Sequence, residues 1–292
     1  MEIKVKTYFS RDPAGNGLID LHTHLLPDWD DGPDSWEETQ KMVEMAASDG
    51  IEAVCLTPHV FRFSRYQDSQ EVLEERFNQF YEQYQNENRV KFFRGAEVFI
   101  HPDLMQEVRA RNLSINQSEY VFVEFPSDQV PSGSRDLFFR MMLAGYTPII
   151  SHPERNDLLG RQPEILYDLV ARGCLAQLTA GSLVGSFGSE VKKRAEIFLR
   201  HHLVQLIASD AHDSRNRKPV LSHGVEAAAR IVGQETAEAM VRSVPEAILN
   251  NRLIPELGRP VCPSRGRKLF GLFGSNKKKK CLKIRTKTTI YK

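Results

Sequence analysis

From residue 18 to about residue 250, short apolar runs rich in β-branched residues alternate with longer stretches in which apolar residues recur every three or four positions. That alternation is the signature of repeated βα units around a largely parallel sheet. The runs predicted as strands are 18–21, 53–57, 90–94, 120–125, 147–151, 175–179 and 204–209. Seven strands make a closed barrel plausible. Ser35 with Glu38 has the spacing of a capping box, and the stripe Met42, Val43, Ala46, Ala47 carries the first helix to Gly50. Asp68 with Glu71 repeats the device ahead of Val72, Leu73, Phe77 and Phe80. Further helices are expected over 135–144, 163–172 and 190–201, with a cluster over 221–250. No internal repeat is visible. Beyond Pro260 the pattern dissolves into Gly, Pro, Ser and Lys, which reads as a tail without a packed core.

The polar residues at the ends of the strands change the picture. His22 and His24 sit two apart at the end of the first run, and residues two apart on a strand share a side, so both imidazoles can face one metal ion. Asp31, His59, Glu97, Glu124, His152, Asp210 and His212 follow or close the later runs. In a parallel barrel the C-terminal strand ends face one mouth, where groups distant in sequence converge. A set of imidazoles and carboxylates without cysteine suits Mn, Fe or Zn. Nine candidates are too many for one tetrahedral ion and fit two or three. Arg155 and Arg217 follow His152 and His212, and guanidinium groups beside a metal cluster suit phosphate. A surface salt bridge to Glu154 or Asp213 is the alternative reading of the two arginines.

Charge and composition narrow the class. The chain has 292 residues, 41% of them hydrophobic, enough for one large barrel domain, so the expected organisation is an N-terminal extension (1–17), a barrel (18–258) and a basic tail (259–292). The net charge of +1 hides an asymmetry: the tail carries 12 Lys and Arg and no acid, leaving 27 basic against 38 acidic residues, a net of −11, before it. An acidic body argues against a general nucleic-acid binder. The four cysteines show neither C-x-x-C spacing nor disulfide density, which fits a reducing compartment. With no signal-like or membrane-spanning segment, a cytoplasmic protein is expected.

The series Asp20-Leu21-His22-Thr23-His24, Asp30-Asp31-Gly32-Pro33, Thr57-Pro58-His59, Gly95-Ala96-Glu97, Ser151-His152-Pro153-Glu154-Arg155 and Ser209-Asp210-Ala211-His212 resembles the polymerase and histidinol phosphatase (PHP) superfamily. Within it, the chain is similar to the manganese-dependent protein-tyrosine phosphatases of capsular and exopolysaccharide synthesis. The runs Gln177–Leu183 and 185–188 also resemble that branch. The resemblance implies a distorted (β/α)7 barrel with a trinuclear centre and, as substrate, the phosphotyrosine of a bacterial tyrosine kinase that regulates polysaccharide export. It implies His22, His24, Asp31, His59, Glu97, Glu124, His152, Asp210 and His212 as metal ligands, and Arg155 and Arg217 as phosphate contacts. Many relatives carry Gly-Arg-Pro-Pro where this chain has Asn216-Arg217-Lys218-Pro219. Asp28 and Asp30 are close rivals of Asp31, which is chosen for its place before Gly32-Pro33.

The chemistry implied is metal-assisted hydrolysis of a phosphomonoester without a cysteine nucleophile, with Mn first and Fe, Zn or Mg as alternatives. A phenolate leaving group, with a reference pKa near ~10, demands less acid assistance than a serine alkoxide. His212 or Asp210 could supply a proton. The loop Val60–Tyr66 mixes aromatics with arginines and could stack on a phenyl ring or simply pack. A small-molecule phosphatase of the histidinol-phosphate type, a noncatalytic metal-binding scaffold and, at lower rank, an amidohydrolase barrel are the competing readings. The basic tail could rest on an anionic membrane surface or remain solvated. Oligomeric state is not legible.

Overall fold

The computed structural model describes residues 17–61 and 69–263. The segment 62–68, which holds most of the aromatic–arginine loop, and the tail from residue 264 lie outside the described residues. The chain opens with β1 (Leu18–Thr23), α1 (Trp36–Ser48), β2 (Ile51–Leu56), β3 (His59–Val60), α2 (Gln70–Gln83), β4 (Lys91–Arg94), β5 (Glu97–Phe99) and α3 (Leu104–Arg111). It continues through β6 (Tyr120–Glu124), α4 (Ser134–Leu143), β7 (Thr147–Ile150), α5 (Asp157–Arg161), α6 (Pro163–Val170) and β8 (Leu175–Thr179). It closes with α7 (Ala180–Val184), α8 (Ser189–Arg200), β9 (Leu206–Ala208), α9 (Ser222–Val232), α10 (Gln234–Ala239) and α11 (Ser243–Leu249).

The strands pair in parallel as β1-β2-β4 and β3-β5-β6-β7-β8-β9. Two of the predicted strands are bent rather than single. Pro58 has no N–H for the ladder, so β2 stops and resumes as β3. At Gly95, where β4 turns into β5, a Cβ would lie 3.1 Å from Cys55 Sγ and 3.2 Å from Thr57 Cγ2, so any side chain there would have to push these neighbours aside. With each bent pair counted once, the sheet has the seven positions expected. Its two edges meet where His24 N–H donates to the Ala211 carbonyl (2.8 Å) and Asp210 N–H to that of His22 (2.9 Å). The architecture is therefore the distorted (β/α)7 barrel predicted.

Two apolar layers hold it. Alternate residues of the strands, among them Leu21, Cys55, Phe93, Phe122, Ile149 and Leu206, form an inner cluster closed by Val244 and Ile248 of α11. The residues between them, such as Val54, Val121, Val123, Ile150 and Leu178, pack outward against the helices. β1 departs from this alternation. Asp20 pairs with Val54 and Thr23 with Leu56, so three steps on β1 face two on β2. The extra residue lets Leu21 stay in the inner cluster while its neighbour His22 packs against Phe122, the ring centroids 4.8 Å apart and the rings tilted by 40°.

The helix starts are partly as expected. Ser35 caps α1 by accepting from Glu38 N–H at 3.3 Å, but Glu38 does not complete the box. Its carboxylate accepts from the Ser214 N–H and hydroxyl (2.9 and 2.6 Å) and so ties α1 to the loop after β9. The cap of α2 is Ser69, which accepts from Val72 N–H, and not Asp68, which lies outside the described residues. The eight-residue α3 buries only Leu104 and Val108, too few for a stripe to be legible. Cys55 and Cys174 are buried free thiols, and burial raises the pKa of Cys174 to about 12. Among the described residues no helix is long and apolar enough to cross a membrane.

Candidate metal centre

All nine sequence-predicted residues gather at the C-terminal rim of the sheet. His22 Nε2 and His24 Nε2 are 3.2 Å apart. Donor atoms of His24, Asp31, His59 and His212 lie within 4.8 Å of one another, as do those of His22, His24 and Asp210 and those of His59, Glu97 and Glu124. Glu97 is the hub. Its Oε2 lies 3.3 Å from His22 Nε2, 3.5 Å from His24 Nε2 and 3.1 Å from His59 Nδ1, and its Oε1 lies 3.0 Å from His152 Nε2. His152 stands outside the three groups and meets them through Glu97 and by stacking 5.9 Å from the ring of His22. The bends place two members: His59 opens β3 and Glu97 opens β5. His152 and Asp210 are aimed by left-handed backbone, with φ of 32° and 54°, a cost of order 1–3 kcal/mol each that clusters at functional sites.

The three neighbouring aspartates divide the work. Asp31 Oδ1 lies 3.3 Å from both His59 Nε2 and His212 Nε2, facing the centre. Asp30 is fully buried behind it, accepting from His24 Nδ1 and His59 N–H (2.9 Å each) and from Gly32 N–H. Asp28 pairs with Arg76 at 3.0 Å. Burial alone would raise the Asp30 carboxyl, but the charge of His24 holds it at about 2. Burial would likewise lower His24, and Asp30 instead lifts it to about 10. Burial, with Arg155 beside one and His24 beside the other, pushes His152 and His212 down to about 4.

The donor atoms fit divalent cations. Both oxygens of Glu97, Asp210 Oδ1 and His212 Nε2 are buried without a hydrogen-bond partner among the described residues. Burial opposes the charge on Glu97 and Asp210, yet His22, His152 and His59 around the first and Arg155 and Arg217 on the second hold both carboxyls well below the usual range. Lone pairs of ionised carboxylates and of the neutral imidazoles of His152 and His212 thus converge where burying them is costly unless a cation accepts them.

Both arginines bind Asp210, not the acids next to them in sequence. Arg155 and Arg217 meet its Oδ2 at 2.8 and 2.6 Å, which turns Oδ1 toward His22 and His24, 3.5 Å from each Nε2. Arg217 also lies 3.8 Å from Asp31, while Asp213 takes only its backbone N–H (3.4 Å). Glu154 is buried and accepts from Thr179 N–H (3.1 Å) and the Ser182 hydroxyl (2.7 Å), fastening the turn of Arg155 to α7. The Arg155 guanidinium lies over Phe187, 5.0 Å from the ring centroid, and lines a cavity of about 130 Å³ with Glu124, Ser151, His152 and Asn156. Of the aromatic loop, Phe61 packs edge-on against His101 and under Arg111.

Sequence reasoning missed the groups behind the candidate ligands: Asp30 on His24, and Gln177, whose Oε1 lies 3.0 Å from His22 Nδ1. Gln177 stood in a family-like run, yet no spacing rule marks an amide on β8 as a partner of His22 on β1.

Fold and site together define a parallel barrel carrying a His-carboxylate cluster of metal-binding type at its mouth. Residues 18–250 match the profile of the CpsB/CapC family of capsular polysaccharide synthesis, and the chain belongs to that family. It is 32% identical over 258 residues to the tyrosine-protein phosphatase YwqE of Bacillus subtilis strain 168, covering 88% of this chain and all of the relative. It is 30% identical over 261 residues to the putative tyrosine-protein phosphatase CapC of Staphylococcus aureus, covering 87% of this chain and all of that one. Among solved structures, the chain matches one from the work on YwqE of B. subtilis and CpsB of Streptococcus pneumoniae, described as unique metal-dependent tyrosine phosphatases. The TM-score is 0.80 at 30% identity, over 85% of this chain and 100% of that one. A β-aspartyl dipeptidase from Fervidobacterium islandicum AW-1 (TM-score 0.51, 12% identity, 83% of this chain and 76% of that one) shares the fold alone.

Proposed function

We propose that this protein is a metal-dependent protein-tyrosine phosphatase acting on the phosphotyrosine of a bacterial tyrosine kinase in capsular or exopolysaccharide synthesis. The observation that carries the reading is the convergence of His22, His24, His59 and His152 on Glu97 within the cluster of nine at the rim, with Arg155 and Arg217 fixed beside it on Asp210. His22, His24, Asp31, His59, Glu97, Glu124, His152, Asp210 and His212 would hold two or three ions, Mn before Fe, Zn or Mg. When bound, the ions supply Lewis acidity and lower the pKa of water. Arg155 and Arg217 bind the phosphoryl oxygens, each with N–H groups beyond the one given to Asp210, and offset the charge that builds there. The low pKa of His212 makes it neutral at pH 7, which supports a ligand role over that of a proton donor. A phenolate leaving group needs such a donor least.

Free, buried Cys55 and Cys174 support a reducing, cytoplasmic setting. The division into extension, barrel and tail places this chemistry in 18–258, and the 12 basic residues of 259–292 give the tail an affinity for anionic membrane surface. The test is one rate comparison on the metal-loaded protein among a phosphotyrosine peptide, a phosphoserine peptide and histidinol phosphate. The phosphotyrosine peptide should have the highest kcat/KM. A higher value for histidinol phosphate would make this a small-molecule phosphatase, and no turnover of any substrate with metal bound would make it a scaffold.

A further inference from the structure

We propose that Gln177 is a positioning residue that sets the ring of His22 and the backbone of His152 for metal binding, an inference resting on the metal-centre reading above. Gln177 lies on β8, fully buried. Its Oε1 is 3.0 Å from His22 Nδ1 and 3.2 Å from the backbone nitrogen of His152. The second contact identifies the atom: a backbone N–H can only donate, so the group facing it is the amide oxygen. That oxygen can only accept, so His22 Nδ1 carries the hydrogen. The lone pair of His22 is therefore on Nε2, the atom that lies 3.3 Å from Glu97 and 3.5 Å from Asp210. The same oxygen holds His152 in its left-handed conformation (φ 32°, ψ 55°), where the imidazole reaches Glu97.

The opposite end of the amide shows what the position is for. Gln177 Nε2 is buried with no hydrogen-bond partner among the described residues. A side chain kept only for packing would not carry that cost, since methionine fills similar space without it. His24 is served differently, by the charged Asp30. His24, just past β1, is thus oriented by a carboxylate and His22 by a neutral amide, which fixes its tautomer without adding charge to a centre already rich in carboxylates.

The test uses Gln177→Met and Gln177→Glu in the full chain, titrated with Mn after metal removal. Gln177→Met should bind Mn ~10- to 100-fold more weakly, while Gln177→Glu, which can still accept both hydrogens, should stay within about 3-fold of the original chain. Circular dichroism of the metal-free forms checks that both fold. Independently of any variant, nitrogen NMR of the histidine-labelled, metal-free chain should show His22 as the Nδ1–H tautomer. Equal Mn affinity for Gln177→Met and the original chain, or an Nε2–H tautomer at His22, would overturn the proposal and leave the metal centre standing. No Mn binding by the original chain would overturn both.

Discussion

The rim of the barrel and its inner cluster are built from the same strands and obey opposite rules. Below, Leu21, Phe93, Phe122, Ile149 and Leu206 bury apolar surface around α11, and each costs the fold something if trimmed. Above, adjacent positions hold left-handed His152 and Asp210, carboxylate oxygens without donors, and two arginines drawn onto one aspartate. A region arranged for stability alone would have paired these groups with one another. The strand ends spend the stability that the inner cluster supplies, and the two regions should come apart under mutation.

The largest effect is expected at Glu97. Glu97→Gln keeps the shape but removes the charge shared among four histidines, so turnover should fall by about 1000-fold, the several kcal/mol attributed to metal assistance, together with metal content by elemental analysis. Unchanged metal content would move the centre away from Glu97. Arg155→Ala should lower kcat/KM by ~10- to 1000-fold with metal content intact, because a permanent cation contacts phosphate and does not ligate metal. Loss of metal in that variant would show that Arg155 acts through Asp210.

At the other end of the strands, Phe93→Ala should destabilise the chain by about 3–5 kcal/mol, read by denaturant titration, while the fraction still folded keeps its metal. A loss of metal at full stability would blur the division between the two regions. The smallest effect separates them by pH. Burial raises Asp20, beneath the rim, to about 6, above its ordinary value of 3.8. A folded-state pKa above the unfolded one means that the folded chain holds the proton longer, so stability present at pH 4 is lost as pH rises through 6. In the metal-free protein, the stability difference between Asp20→Asn and the original chain should shift by up to about 3 kcal/mol in favour of Asn between pH 4 and 7. A pH-independent difference would mean that Asp20 is not strained by its burial.

Much of this was legible in the sequence, for a physical reason. Parallel strands write their ends into the chain as apolar runs followed by polar residues, so His22, His24, His59, Glu97, Glu124, His152, Asp210 and His212 could be found one by one, and Asp31 by its place before Gly32-Pro33. What stayed hidden depends on burial and on contacts across the barrel. Neighbouring charges pointed Arg155 to Glu154 and Arg217 to Asp213, but Glu154 is committed to Thr179 and Ser182, and Asp213 accepts only backbone N–H groups among the described contacts. The bulge in β1 and the bends at Pro58 and Gly95 interrupt strands that the apolar runs predict as single. Gln177 stood in a family-like run, but its contact with His22 exists only in the folded barrel.

The most direct test of the account is to strip the protein with chelator, measure its metal content and phosphotyrosine hydrolysis, and add Mn back. The account predicts a stripped protein that is folded but inactive, with activity returning as two or three ions bind per chain. Full hydrolysis by protein shown to be free of metal would contradict it.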